Sequence, residues 1–293
     1  MNGVLVVDKP RGWTSHDVVA KMRRIAGTRR IGHLGTLDPL ATGVLPLLID
    51  RATRLAQFFT RNDKVYEGVI RFGWSTNTYD ADGEPNSPQV DVTLDESRLA
   101  SAIARFRGLI RQTPPAVSAK KIQGKPAYVF ARKNIAVELE PVDVTIFRFD
   151  LQSVEGPRAR VLVHCSAGTY LRSIAHDLGQ ELGCGAFLEE LRRTASGAFT
   201  LDHAKTIDEF AALSSEKRLD ESVIPASRLL PDFPTEVVDQ ITETQIRQGR
   251  DFRVSPFRVR GEAKYVKAVS RGGELIAIGE VRLPNLYHPL MVL

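Results

Sequence analysis

The stretch GHLGTLDPLATGVLP, residues 32–46, holds one carboxylate, Asp38, one imidazole, His33, and three glycines, Gly32, Gly35 and Gly43. Enzymes that work with carboxylates mostly use them in pairs or on a metal, yet Asp38 has no second acid nearby in the sequence. Pro39 turns Asp38 away from helical geometry toward an extended backbone, and the glycines permit tight turns or close approach of another chain. An aspartate presented this way suits nucleophilic or general-base work. It equally suits a turn, where its oxygens take up backbone N–H groups, which is the more frequent use. His33 taken alone reads as structural, or as a ring that stacks on an RNA base or displaces one. In CSAGTYLRSIAHDLG (165–179) a strand stops, Ala167-Gly168 turns, and Thr169 opens a helix, so Arg172 falls in the first turn. The helix dipole disfavours a cation there; such an arginine has a carboxylate or phosphate partner, or is simply exposed. Tyr66, in KVYEG, sits mid-strand, where a tyrosine is most often part of the core. The chain has no Ser–His–Asp order, no HExxH and no GxGxxG, and GTLDPLATG lacks the Lys-Ser/Thr ending of a phosphate loop.

The elements that must position these residues follow from periodicity. NGVLVVDKP (2–10) predicts a buried strand ended by Pro10. TSHDVVAKMRRIAG (14–27) predicts a helix capped by Thr14 or Ser15, with Val18, Met22 and Ile25 as its apolar stripe. Residues 29–43 read as a loop, VLPLLI (44–49) as a buried strand and ATRLAQFFT (52–60) as a short helix. KVYEGVIRFG (64–73) alternates as a strand with Tyr66, Gly68, Ile70 and Phe72 on one face. Residues 75–89 read as a loop and 95–108 as a helix. VDVTIFRFD and RARVLVHC pair as a hairpin. Residues 169–182 read as a helix, AFLEELRR (186–193) as another short helix, and TIDEFAAL (206–213) as a helix capped by Thr206. Beyond the turn-rich RLLPDFPTE (228–236), short strands suggest a small β-rich appendage.

Composition narrows the class. The 293 residues, 43 % apolar and 7 % aromatic, are ordinary for a globular protein. The longest apolar run is far below a membrane span. The first residues do not read as a signal peptide, so a cytoplasmic protein is expected. Cys165 and Cys184 show no metal-ligand or disulfide spacing and read as reduced thiols. The net charge of +5 is concentrated. Residues 105–133 carry eight basic residues and no acid; 1–30 and 247–271 are basic as well. Arginine outnumbers lysine 29 to 11, a bias that suits phosphates and bases, although a solvated basic surface shares it.

These residues are joined by DKPRGWTSHDVV (8–19), RRIGHLGTLDPLATGVLP (29–46), KVYEGVIRFGWSTNTYDADG (64–83), QTPPAVSAKKIQGKPAYVFAR (112–132) and LRRTASGAF (191–199). In that order, and with CSAGTYLRSIAHDLG, they resemble the TruB family of bacterial tRNA pseudouridine synthases. Val117 and Asn134 depart from the family pattern, where Tyr and Gly are common. The resemblance implies an α+β pseudouridine synthase fold, with a central mixed, mostly antiparallel sheet flanked by helices. Residues 1–230 would form the catalytic domain, with a basic RNA-binding loop at about 111–135. Residues 231–293 would form a short PUA-like RNA-binding domain. It implies isomerisation of uridine 55 in the TΨC arm of tRNA, by a monomer that needs no cofactor, metal or protein partner. Asp38 takes the catalytic role, Arg172 pairs with it and keeps it charged, and Tyr66 lies against the base as a proposed acceptor of the C5 proton. Leu191 lines the uracil pocket, and His33 and Gly32 belong to the stretch that meets flipped-out nucleotides. Lys9 belongs to a motif that buttresses the site and is counted, with His33, Gly32 and Leu191, among the RNA-binding residues, and Lys120, Lys121 and Lys125 lie in the RNA-binding loop. A uridine inside a folded T-loop is reached only by flipping it out. A non-catalytic RNA-binding protein and a guide-RNA-dependent relative are the competing readings. Joint retention of Asp38, Tyr66 and Arg172 argues against the first, and the short C-terminal appendage against the second.

Overall fold

The computed structural model describes residues 1–118, 139–255 and 263–293, and the backbone alone at 121–122 and 125–126. Apolar runs without polar alternation, such as GVLVVDK and TGVLPLLI, become strands buried on both faces. They lie near one side of an 11-stranded mixed sheet ordered β12-β1-β3-β10-β4-β9-β8-β5. Its strands are β1 (Gly3–Lys9), β3 (Thr42–Ile49), β4 (Lys64–Phe72), β5 (Gly108–Gln112), β8 (Val142–Glu155), β9 (Arg158–Cys165), β10 (Ala186–Ser196) and β12 (Ala204–Lys205). Short β2 (Ile31–His33), β11 (Phe199–Thr200) and β13 (Ile224–Pro225) attach beside this path. Among the described residues of this sheet only β1–β12 and β3–β10 pair in parallel; its other strand pairs are antiparallel. Outside this sheet's pairings, β6 (Lys121–Ile122) and β7 (Lys125–Pro126) pair with each other as a two-stranded ribbon.

Alternate residues of β1 divide between two cores. Leu5 and Val7 pack with helices α1 (Ser15–Ile25), α2 (Glu96–Arg105), α3 (Leu171–Leu182) and α4 (Ile207–Ser215). Val4 and Val6 pack with a 3₁₀ helix, Asp50–Phe59, and with the C-terminal sheet through Val269, Leu275 and Met291. That second sheet runs β14-β16-β17-β18-β15, from β14 (Thr235–Val238), β15 (Phe252–Arg253), β16 (Tyr265–Ser270), β17 (Leu275–Leu283) and β18 (Leu286–Val292), with helix α5 (Gln240–Arg247) against it. The ring of Phe58 meets those of Phe233 and Tyr265 edge-on at the junction. Buried Lys267 donates to the carbonyls of Ser227 and Leu229 and ties the second sheet to the chain entering it.

Residues 186–193 are not helical: they form most of β10, between β3 and β4 at the centre of the sheet. A bulge between Leu188 and Glu190 breaks the alternation and leaves the apolar spacing of Phe187, Leu188 and Leu191 looking helical. Helix α3 starts at Leu171 with Tyr170 as its N-cap residue, two residues later than the sequence suggests, because the Thr169 hydroxyl turns back to the Ser166 carbonyl. Within the expected 29–43 loop, residues 31–33 pair with β3, and within the expected basic loop, residues 111–112 belong to β5.

Candidate active site

The backbone around Asp38 is held on three sides while its carboxylate is left clear. Thr14 caps α1 through a reciprocal pair with Asp17, which frees Ser15 for another task. The buried Ser15 hydroxyl accepts from the Leu37 N–H (2.9 Å) and donates to the Leu37 carbonyl (3.1 Å). The Pro39 carbonyl accepts from Gly12 N–H (2.8 Å) and from Lys9 Nζ (3.3 Å). Lys9 is fully buried, and its Nζ also donates to the carbonyls of Pro10 and Trp13. Its ammonium therefore faces the loop's backbone and not an RNA phosphate. Burial, opposed by the Asp38 charge, pulls its pKa down to about 8.

From pH 8 to the ordinary lysine range the unfolded chain keeps a proton here that the folded chain has lost, so this group makes stability rise with pH. In urea unfolding, wild type is expected to gain about 1–2 kcal/mol over Lys9→Met between roughly pH 7.5 and 9.5. A pH-independent difference would show that Lys9 is not held as described.

Arg172 is the second residue of α3, and its side chain is only 4 % exposed. Gln112 fixes the start of that helix by accepting from Tyr170 N–H (2.8 Å) and donating to its carbonyl (3.0 Å). The guanidinium meets Asp38 with Nη2 donating to Oδ1 (3.1 Å) and Nε 2.9 Å from Oδ2. Nη2 also donates to the Val117 carbonyl (2.9 Å) and Nη1 to that of Thr78 (3.2 Å). The main-chain contact of Val117 is independent of side-chain type.

A second acid does stand here. Asp80, 6 % exposed, places Oδ2 3.5 Å from Arg172 Nη1. Its Oδ1 accepts from the Thr78 hydroxyl (2.5 Å) and Asp82 N–H (3.2 Å). Burial raises its pKa, opposed by the Thr78 hydrogen bond and by Arg172. The cation out of place at a helix start is thus matched by two carboxylates, one buried behind it and one, Asp38, 35 % exposed in front.

Asp38, Arg172, Tyr66 and Leu191 border one cavity of about 280 Å³, with Lys64 and Arg193 on its wall. Tyr66 is buried on the face of β4 that its alternation indicated. Burial raises its phenol pKa, tempered by Arg193, so the hydroxyl is neutral at physiological pH. Leu191 reaches the cavity from strand β10. His33 and Gly32 lie at the edge of the loop and not on this wall. The His33 ring stands edge-on to His16 at 5.7 Å, and burial lowers its pKa. A side chain at Gly32 would meet open space. Lys120 lies outside the described residues, as do the side chains of Lys121 and Lys125.

Sequence reasoning missed Asp80, Lys64 and Arg193. Arg193 is buried and donates to the carbonyls of Val44 (2.7 Å), Gly35 (3.1 Å) and Thr36 (3.4 Å), pinning the start of the Asp38 loop to the sheet. Gly43, at φ +98°, lets β3 pass close to it: a Cβ there would sit 2.2 Å from the Arg193 carbonyl oxygen. With residues 186–193 read as a helix, nothing in the sequence set Arg193 beside Gly43. No residue pattern near Asp80 announces its role.

The large mixed sheet with a carboxylate clasped at its centre and a β-rich second unit is the pseudouridine synthase architecture. Over 96 % of this chain it matches the solved structure of a Cbf5-Nop10-Gar1 complex, covering 78 % of that chain at TM-score 0.71 and 26 % identity. The model of the TruB family pseudouridylate synthase N-terminal domain matches residues 23–171, and that of the tRNA pseudouridylate synthase B C-terminal domain matches 172–231. The tRNA pseudouridine synthase B of Solibacter usitatus is 62 % identical over 293 residues, the whole of both chains. That of Thermobifida fusca is 42 % identical over 289 residues, covering 96 % of this chain and 95 % of the relative. The chain belongs to the TruB family of pseudouridylate synthases.

Proposed function

We propose that this chain isomerises uridine to pseudouridine at position 55 in the T-arm of tRNA, acting as a monomer without cofactor or protein partner. The observation that carries this reading is the partly exposed Asp38 carboxylate, fixed by a buried arginine at the wall of a cavity shared with Tyr66 and Leu191. The reaction breaks the bond from uracil N1 to C1′ and makes one from C5 to C1′, with loss of the C5 proton and gain of a proton at N1. It exchanges no electrons with a partner and transfers no group to or from one, so a single carboxylate suffices to start it, by attack at C1′, addition at C6 or removal of the C2′ proton. Arg172 holds that carboxylate aimed, and Tyr66 and Leu191 flank the base. Tyr66 is neutral here, so it accepts the C5 proton only while passing its own onward.

The target must leave its stack, at a cost of a few kcal/mol that phosphate contacts and stacking offset. The basic stretches at 1–30, 105–133 and 247–271 supply those contacts, with residues 111–135 as a basic RNA-binding segment and 231–293 as a PUA-like RNA-binding unit. A tRNA substrate fits a protein that works in the cytoplasm.

Release of tritium from 5-tritiated uridine tests the chemistry. A T-arm hairpin with uridine at position 55 is expected to release it, and the same hairpin with cytidine there is not; equal release from both would refute the assignment. Affinity for tRNA is expected to fall by at least about a hundredfold between roughly 50 and 200 mM salt. A flat response would remove the basic stretches as the docking surface.

A further inference from the structure

Arg172 is aimed by a turn, and the turn is itself held by something outside the cavity. Thr78 offers its carbonyl and Asp80 its carboxylate to the guanidinium, and Tyr79 stands between them. Tyr79 has φ +64°, in the left-handed region that side chains other than glycine and asparagine rarely occupy. Its main chain is docked on β10, since Leu188 N–H donates to the Tyr79 carbonyl and Ala81 N–H to that of Leu188, both at 3.0 Å. Its ring is stacked on His176, with centroids 3.8 Å apart and planes 15° from parallel. His176 follows Arg172 by four residues on α3, so both lie on one face of the helix. His176 Nδ1 is buried without a hydrogen-bond partner among the described residues, so stacking and not hydrogen bonding sets the ring's place. His176 does not border the Asp38 cavity.

We infer that Tyr79 and His176 are positioning residues: their stacked rings hold the 78–80 turn in its strained conformation, and the turn aims Arg172 and, through it, Asp38. The inference rests on the isomerase reading above. One helix thus grips the turn twice, by charge at Arg172 and by ring contact one turn further along.

The test is the single-turnover rate constant on an unmodified tRNA transcript, measured with tRNA affinity and thermal stability. His176→Ala is expected to slow the chemical step about tenfold with affinity within about twofold. His176→Phe, which keeps a flat ring and loses no hydrogen bond, is expected to restore the rate to within about twofold. Tyr79→Leu is expected to slow turnover as His176→Ala does, and the double variant is expected to be no slower than either. Wild-type rates in His176→Ala and Tyr79→Leu, additive losses, or a His176→Phe as slow as His176→Ala would each overturn the inference. If His176→Ala does not fold, Tyr79→Leu against His176→Phe decides it. Wild type run alongside separates the two levels: an inactive wild type refutes the isomerase reading, whereas an active wild type with unaffected variants refutes only the positioning.

Discussion

Asp38→Ala is expected to give a folded protein that binds tRNA and makes no pseudouridine. The loop does not depend on the carboxylate: Ser15, Gly12, Lys9 and Arg193 hold its backbone at Leu37, Pro39, Gly35 and Thr36. Arg172 loses one partner and keeps Asp80 and the carbonyls of Thr78 and Val117. A pair whose acid is about a third exposed contributes on the order of 1 kcal/mol or less, so stability should change little. Affinity for tRNA should stay within about tenfold, or about 1.4 kcal/mol. Turnover should fall by at least about a thousandfold, about 4 kcal/mol in the barrier, because among the described residues no other carboxylate borders the cavity to start the reaction. Tritium release measures the rate and filter binding the affinity. Residual turnover near wild type would end the assignment.

Arg172→Met is expected to be as inactive and, in contrast, unstable. Removing the guanidinium leaves Asp80 as a buried carboxylate without a cation, and breaking a buried pair from one side costs about 3–5 kcal/mol. It also strips donors from the Thr78 and Val117 carbonyls. Arg172→Lys should not rescue activity, since a point charge cannot reach both carboxylates and both carbonyls as the planar fork does. Adding Asp80→Asn to Arg172→Met should recover much of the lost stability in urea unfolding and none of the turnover. Recovery of turnover in the double variant would show that Asp38 needs no cation. A single variant as stable as wild type would show that Asp80 is not the buried counter-charge.

The pairing of Asp38 with Arg172 followed from the family resemblance; the residues alone showed only a lone acid before a proline, and a cation where a helix start disfavours one and a partner of unspecified identity is needed. Thr14 left Ser15 undecided as a cap, and the structure separates their tasks, with Thr14 capping and Ser15 clamping Leu37. Tyr66 was placed on the right face because β4 alternates without interruption until after it. Strand β10 was misread because its bulge at Glu189 replaces a period of two with spacings of three and four, and because both of its flanks are strands remote in sequence. Asp80 was invisible for a different reason. Its loop has no periodicity, and what makes it matter is a buried guanidinium delivered from α3, across the sheet order and not along the chain. Lys9 was legible as a buttress and misplaced among RNA contacts, since burial of a lysine amine on backbone carbonyls leaves no trace in the spacing of its neighbours.

The most direct test is to incubate the purified protein alone with an unmodified tRNA transcript and map pseudouridine at every position. Stoichiometric pseudouridine at position 55, and none there with Asp38→Ala, is the expected result. An unchanged uridine at position 55, or modification there that survives the loss of Asp38, would contradict the account.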